Sequence, residues 1–320
     1  MYTLITGVAG FVGHSLCKAL LRKNINVIGI DNLNSYYDQN LKRDRVKDII
    51  SLNSNFIFKK IDIRNTQDLK KIFEKNSIDY IVHLAAQAGV RYSTKHPEEV
   101  IDNNISGFMN ILDVMKEYEV KHLVYASSSA VYNNNTPPFH EEDNTDKQIS
   151  IYGATKKSNE LMAHVYSNMY DIPTTGLRLF SIYGPWLRPD LAMHKFTKSI
   201  LSDKQIKVYN NGNQYRDFTY IDDAVNIICQ ILTKIPEGSI PYEIYNISNG
   251  TPIYLMDVIK LIEQNLNKRA NIKILPENIE EMRITHANLS KIKNIINHSP
   301  KVDIEAGIHN FIKWYKGYYT

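Results

Sequence analysis

The stretch Tyr2-Thr3-Leu4-Ile5-Thr6-Gly7-Val8-Ala9-Gly10-Phe11-Val12-Gly13 decides the fold. Its first five residues form an apolar, β-branched run that predicts a buried strand. Three glycines follow at intervals of three, and from Phe11 onward the apolar residues take a helical spacing. Glycine at these places lets the chain turn tightly from strand to helix and brings its backbone close to whatever sits above the turn. The start of the helix then offers free N–H groups and the positive end of its dipole, a site suited to phosphate. A glycine turn between strand and helix needs no ligand, so the surrounding pattern has to carry the reading.

That pattern extends through the first half of the chain. Apolar runs at 2–6, 26–30, 56–61, 80–84, 122–127 and 174–179 predict strands, with helical segments near 11–23, 38–52, 66–75, 98–117 and 152–170 between them. Fully apolar strands alternating with helices predict an α/β fold, a doubly wound parallel sheet of the Rossmann type. After about residue 180 prolines punctuate shorter elements. The expected division is a nucleotide-binding domain over 1–176 and a smaller C-terminal substrate-binding lobe over 177–320, with segments near 213–248 returning to the main domain.

The chain has 320 residues, 43% hydrophobic and 22% charged, enough for a large buried core. A formal charge of +4 is too small to point to nucleic acid. No apolar run approaches the roughly 18 residues of a membrane span. Cys17 and Cys229, far apart in apolar stretches, suggest reduced thiols in a cytoplasmic protein. The segments near 98–117 and 152–170 carry broad apolar faces, including Ile101, Phe108, Leu161, Val165 and Met169. Packing on the sheet uses some of these, and a surplus would suit a homodimer joined through a helical bundle.

Around the turn, Gly7, Gly10, Phe11, Val12 and Gly13 are the expected phosphate cradle. Asp31 and Asn32 follow the second strand, where a carboxylate accepts both adenosine ribose hydroxyls and repels a 2′-phosphate, so NAD is the expected cofactor rather than NADP. Asp62 and Ile63 are placed near the adenine, and Leu84, Ala85 and Ala86 along the cofactor channel. Ser127-Ser128-Ser129 ends another strand, and Tyr152 and Lys156 share one face of a later helix. An ammonium beside a phenol lowers its pKa towards a useful range for proton transfer. Such a pair also occurs by chance on solvent-facing helices; the serines, the glycine turn and Asp31 argue against chance here.

With these residues in order, the chain resembles the extended short-chain dehydrogenase/reductases over nearly its whole length, in particular their nucleotide-sugar epimerases and dehydratases. The resemblance implies Ser128 as the catalytic hydroxyl, Tyr152 as general base and acid, and Lys156 as the holder of the nicotinamide ribose, with Ser127 and Ser129 beside the substrate. It makes Asn104, in Asp102-Asn103-Asn104-Ile105-Ser106-Gly107, a structural or cofactor-side residue.

Longer matches narrow the subgroup: Asp31-Asn32-Leu33-Asn34-Ser35-Tyr36-Tyr37-Asp38, Gln87-Ala88-Gly89-Val90-Arg91-Tyr92-Ser93, Gly184-Pro185-Trp186-Leu187-Arg188-Pro189-Asp190 and Arg216-Asp217-Phe218-Thr219-Tyr220-Ile221-Asp222-Asp223. They look most like the enzymes that interconvert UDP-glucuronate and UDP-galacturonate, often serving polysaccharide precursors. That likeness implies Arg216 at the UDP diphosphate and Arg91, Ser181 and Arg188 around the uronate. Ser129 and Ala130 stand where the sugar dehydratases carry an Asp-Glu pair and the uronate decarboxylases a Glu. Their lack of charge argues against elimination and decarboxylation.

The chain also departs from the pattern. Asn133 replaces a glycine, Ser181 a threonine and His194 an aromatic or aliphatic residue, while Glu281 and Asn288 replace aspartates near the nucleotide. Epimerisation of a neutral UDP-hexose or UDP-N-acetylhexosamine, UDP-glucuronate decarboxylation, and a non-catalytic NAD-binding sensor are the alternatives. No metal site is expected.

Overall fold

The computed structural model describes residues 2–52, 55–133, 135–277, 282–297 and 300–320. Strands β1 (Tyr2–Thr6), β2 (Val27–Asp31), β3 (Phe56–Lys60), β4 (Ile78–His83), β5 (His122–Ser128) and β6 (Thr174–Leu179) build most of the main sheet. Three small strands follow, β7 (Ser181–Tyr183), β8 (Gln205–Val208) and β9 (Tyr215–Tyr220), before β10 (Tyr242–Ile247), β11 (Pro252–Tyr254) and β12 (Asn271–Ile274). The main sheet has seven parallel strands in the order β10-β6-β5-β4-β1-β2-β3.

Alternation along the strands sends neighbouring side chains into two separate cores. Ile5, Val27, Val82 and Val124 join one, whereas Leu4, Ile28, Ile81 and Leu123 join the other. Both faces are covered by helices: α1 (Phe11–Arg22), α2 (Gln39–Ile50), α3 (Thr66–Lys75), the short α4 (Val90–Lys95) and α5 (Pro97–Ile101), then α6 (Gly107–Glu117), α7 (Ile151–Tyr170), α8 (Ala192–Leu201) and α9 (Ile221–Ile231). Further along come α10 (Leu255–Leu266), α11 (Ser290–Ile295) and α12 (Ile304–Tyr319).

The predicted parallel sheet is present, with strand ends shifted by one or two residues; Asp31, for example, falls inside β2. The single helix expected over 98–117 is instead α5, a wider π turn at Asp102–Ser106, and α6. Two of the small strands, β7 and β9, run parallel, and β11 adds antiparallel to β9. β8 pairs with β12. These sheets stand beyond the carboxyl ends of the main strands, where β6 passes through Phe180 directly into β7. Strand order reverses between β1 and β4, and the crevice at such a switch point is the usual ligand site of an open α/β sheet.

Candidate active site

The glycine turn meets the end of β4 at this switch point. Gly7 has φ +72°, and a Cβ there would lie 2.7 Å from the Ala85 amide nitrogen. A Cβ on Gly13 would run into the Gly7 carbonyl oxygen. Neither position tolerates a side chain, and the turn therefore keeps an open backbone cradle. No side chain caps α1 at Gly10 and no acid sits in its first turn, so its leading N–H groups face the crevice uncompensated.

A cleft of about 530 Å³ runs from this turn along the sheet edge. Gly7, Gly10, Phe11, Val12, Gly13, Asp31, Asn32, Ile63, Leu84, Ala85 and Ala86 line its β1–β2 side. Asp31 is 9% exposed; its Oδ2 accepts from Ala9 N at 3.1 Å and its Oδ1 from Leu33 N at 2.8 Å. Burial holds its carboxyl above the ordinary range, opposed by those two bonds and by Lys42. A dinucleotide fits this arrangement: the open cradle and helix N-terminus suit its diphosphate, and the Asp31 oxygens retain lone pairs for ribose hydroxyls.

Ser128, Ser129, Ala130, Tyr152, Lys156, Ser181, Arg188 and Arg216 line the other part of the cleft. Ser150 caps α7 by accepting from Gly153 N, which starts the helix just before Tyr152. Lys156, one turn later, is 2% exposed and donates to the Ala126 carbonyl at 2.8 Å, which ties α7 to β5. Burial pushes the Lys156 ammonium down to about 8. Burial also raises the Tyr152 phenol, with a bond to Ser128 and the charge of Arg188 working the other way. The expected lowering of the phenol is outweighed by burial, and the groups that oppose burial are Ser128 and Arg188. Arg188 is paired with Asp190 at 3.2 Å, and Tyr36 Oη donates to the same carboxylate oxygen at 3.4 Å.

Four expected site residues have other duties. Ser127 borders the cleft, but its hydroxyl is buried and donates to Glu160 Oε1 at 2.6 Å, joining the buried Glu160–Arg178 ion pair. Asp62 lies outside the cleft because Arg64 and Asn32 occupy its carboxylate; Arg64 Nη2 stands 2.8 Å away and Asn32 Nδ2 3.0 Å. Arg91 is exposed, with its guanidinium 4.4 Å from the centre of the Tyr209 ring and away from the cleft. Asn104 is 1% exposed; it bonds Gln87 through both backbone groups and Thr155 through Oγ1, so it fastens the loop after β4 to α7 rather than lining the cleft.

The departures also find places. Asn133 has φ +53°, a left-handed conformation that asparagine tolerates better than most residues, which accounts for its standing in for glycine. His194 is buried against Tyr315 and Tyr319. Asn288 forms a local turn by accepting from Ser290 N at 2.9 Å. Glu281 lies outside the described residues.

Several lining residues escaped sequence reasoning. Lys42 is 5% exposed, donates to the Asn34 carbonyl at 2.9 Å, and is pushed down to about 8 by burial. Tyr36 and Tyr37 also face the cleft, as does Gln214. A usable signal existed for Lys42: it stands three residues before Arg45 on a helix whose buried side holds Leu41, Val46 and Ile49.

The chain is 46% identical to protein CapI of Staphylococcus aureus over 334 aligned residues, covering 100% of this chain and 99% of that protein. It is 41% identical to the UDP-glucuronate 4-epimerase of Thermodesulfobacterium geofontis over 316 residues, covering 98% and 96%. In three dimensions it resembles the UDP-glucuronic acid 4-epimerase of Bacillus cereus, solved in complex with UDP-glucuronic acid and NAD, with a TM-score of 0.92, 34% identity and full coverage of both chains. The sequence pattern of one family matches residues 3–248, a span that holds the glycine turn, Ser128, Tyr152 and Lys156. The chain belongs to the NAD dependent epimerase/dehydratase family.

Proposed function

We propose that the protein is an NAD-dependent UDP-glucuronate 4-epimerase, interconverting UDP-glucuronate and UDP-galacturonate. The observation that carries this reading is the placement of Arg188 within electrostatic reach of Tyr152, in a cleft where Asp31 is the only lining carboxylate among the described residues. Asp31 ends β2, three strands away from the Ser128 end of β5. Asp190, which also acts on Tyr152, lies outside the lining and is tied to Arg188 and Tyr36. Among the described lining residues no acid therefore stands at the Tyr152 corner to expel a leaving group, whereas a guanidinium able to grip a carboxylate does.

NAD bound in this cleft would supply reversible hydride acceptance at C4. Asp31 would hold the adenosine ribose, the α1 N-terminus the diphosphate, and Lys156 the nicotinamide ribose. Tyr152 takes the proton from the C4 hydroxyl and gives it back, while Ser128 shares a hydrogen bond with the same oxygen. The transient 4-keto sugar is a β-keto acid, because the C6 carboxylate sits one carbon from the new ketone. It loses carbon dioxide if the C5–C6 bond lines up with the carbonyl π system. Arg188 and Ser181 hold the carboxylate away from that alignment, and Arg216 takes the UDP diphosphate. Positioning is the protein's contribution to the reaction.

We assign substrate handling mainly to residues 177–320, and supply of surface-polysaccharide precursors in the cytoplasm. Two buried free cysteines, Cys17 and Cys229, and the absence of any described helix long and apolar enough to cross a membrane accord with that setting. We also assign a homodimer, on the ground that Leu161, Val165 and Met169 form an exposed apolar stripe on α7, 57%, 47% and 62% exposed.

The test is direct. Purified protein incubated with UDP-glucuronate and followed by NMR is expected to yield UDP-galacturonate without pentose. Accumulation of UDP-pentose, or epimerisation confined to neutral UDP-hexoses or UDP-N-acetylhexosamines, would overturn the assignment.

A further inference from the structure

Arg45, on α2, is 0% exposed. Its guanidinium joins three segments that are distant in sequence. Nη1 donates to the Ala9 carbonyl of the glycine turn at 2.9 Å and to Tyr37 Oη at 2.7 Å. Nη2 donates to the Trp186 carbonyl at 2.5 Å. All three of these acceptors are neutral. A guanidinium is suited to such a post because its donors form a rigid planar fork and it keeps its charge at any ordinary pH.

Trp186 is an unusual residue to find at the end of that fork. Its φ is +66°, a left-handed conformation that a bulky side chain adopts only when its surroundings impose it. The imposing contacts are visible. The indole packs 4.9 Å from the His14 ring and 5.6 and 5.4 Å from Trp314 and Tyr318 of α12, while Arg45 holds the carbonyl. Gly184 opens the same loop at φ +142°, and two residues beyond Trp186 stands Arg188. The loop that carries Arg188 is therefore held in a strained path by a strut whose other end grips the glycine turn.

We infer that Arg45 is a positioning residue that fixes the Arg188 loop against the cofactor turn and so governs whether the 4-keto uronate keeps its carboxylate. The inference rests on the epimerase reading above and adds to it a residue remote from the reacting atoms. With the strut intact, the substrate carboxylate is held in one orientation relative to the ring. With the strut loosened, the carboxylate rotates more freely after C4 is oxidised. The C5–C6 electron pair then moves towards the ketone as carbon dioxide leaves, and the resulting enolate takes a proton from water at C5. The two electrons removed from C4 stay on the cofactor for as long as the keto pentose is not reduced.

Arg45→Lys keeps a charge but replaces the planar fork with a single ammonium that cannot reach all three acceptors; Tyr37→Phe removes a single acceptor and keeps the ring. Each variant, supplied with excess NAD, is given UDP-glucuronate, and NMR measures the ratio of decarboxylated to epimerised product. Isothermal calorimetry, in a Tyr152→Phe background, compares affinity for UDP-glucuronate with affinity for UDP alone. Arg45→Lys is expected to raise the ratio by on the order of tenfold and to weaken UDP-glucuronate, but not UDP, by a similar factor; Tyr37→Phe shifts both in the same direction by less. General loss of folded protein would lower total turnover without moving the product ratio, and would weaken UDP equally. If Arg45→Lys is insoluble, Tyr37→Phe decides. A wild-type ratio and wild-type discrimination in the soluble variants would overturn the role of Arg45. Failure of the wild-type protein to epimerise UDP-glucuronate would instead overturn the reading on which it rests.

Discussion

At Lys156 the effect of burying an ammonium appears in its acidity. The group is 2% exposed, is bonded to the Ala126 carbonyl, and holds its proton only up to about pH 8. In the proposed reaction, the positive charge assigned to the nicotinamide ribose is therefore lost as pH rises through that value. The expected outcome is a kcat/KM for UDP-glucuronate that falls above about pH 8, with Tyr152→Phe reducing kcat by about 10²–10⁴ at every pH. Initial rates measured by NMR across that range check both; a flat alkaline profile would show that the cofactor holds the proton on Lys156. Of the residues named from the sequence, those fixed by local geometry reached the cleft: the glycines, Asp31, Ser128, Tyr152 and Lys156. Arg91 and Asp62 did not: Tyr209, distant in sequence, meets the Arg91 guanidinium, and Arg64 with the distant Asn32 occupies the Asp62 carboxylate. Arg45 was missed for a related reason. Helical spacing puts Arg45 on the face of Leu41 and Ile49 and Arg43 off it, but a row of cations reads as a solvated face until the partners of Arg45 are known.

Strands and helices carry their signal in periodicity, and periodicity survived folding well. β1, α3 and β6 lie where apolar spacing placed them, since each buries one face against a sheet or forms part of it. The break between α5 and α6 left no such trace. Asn104 bonds both Gln87 and Thr155, and the widened turn at Asp102–Ser106 presents it to them; a uniform apolar stripe gives no hint of this. α7 carries a stripe that the fold leaves open. Leu161, Val165 and Met169 are spaced by four and exposed, whereas Ala163 and Tyr166 on the other side are buried. Two such stripes packed together would remove the exposed apolar area from water. The double variant Leu161→Glu, Met169→Glu is accordingly expected to sediment as a monomer at concentrations where the parent is a dimer, with unchanged far-UV circular dichroism. A parent that is already monomeric would remove the bundle from the account.

Over the whole molecule, the most general electrostatic feature is the number of histidines held neutral by burial. His14, His122 and His194 are pushed down to about 4, and His83 to about 3, chiefly because charging them would place an ion in an apolar core. They are spread over α1, β5, α8 and β4, so the effect belongs to the fold and not to one site. Their folded pKa values lie below the ordinary 6.5, so between about pH 6.5 and 4 the unfolded chain binds protons that the folded one refuses. Stability therefore falls as pH drops through 6.5, by roughly 1 kcal/mol per histidine at about pH 5.5. Buried carboxylates held above their usual range, Asp31 and Asp217, act in the opposite direction nearer their own pKa values. His194 is the one to test: it is 3% exposed, and neither ring nitrogen has a hydrogen-bond partner among the described residues. Its ring lies 4.9 and 5.3 Å from those of Tyr315 and Tyr319, and burial counts for more than the charges of Lys198, Asp190 and Arg45. His194→Phe keeps the ring and removes the titration. Its gain in stability, read from urea midpoints, is expected to be larger at about pH 5.5 than at about pH 7.5 by about 1 kcal/mol. An equal gain at both values would mean that His194 accepts a proton inside the folded protein as readily as in the unfolded chain.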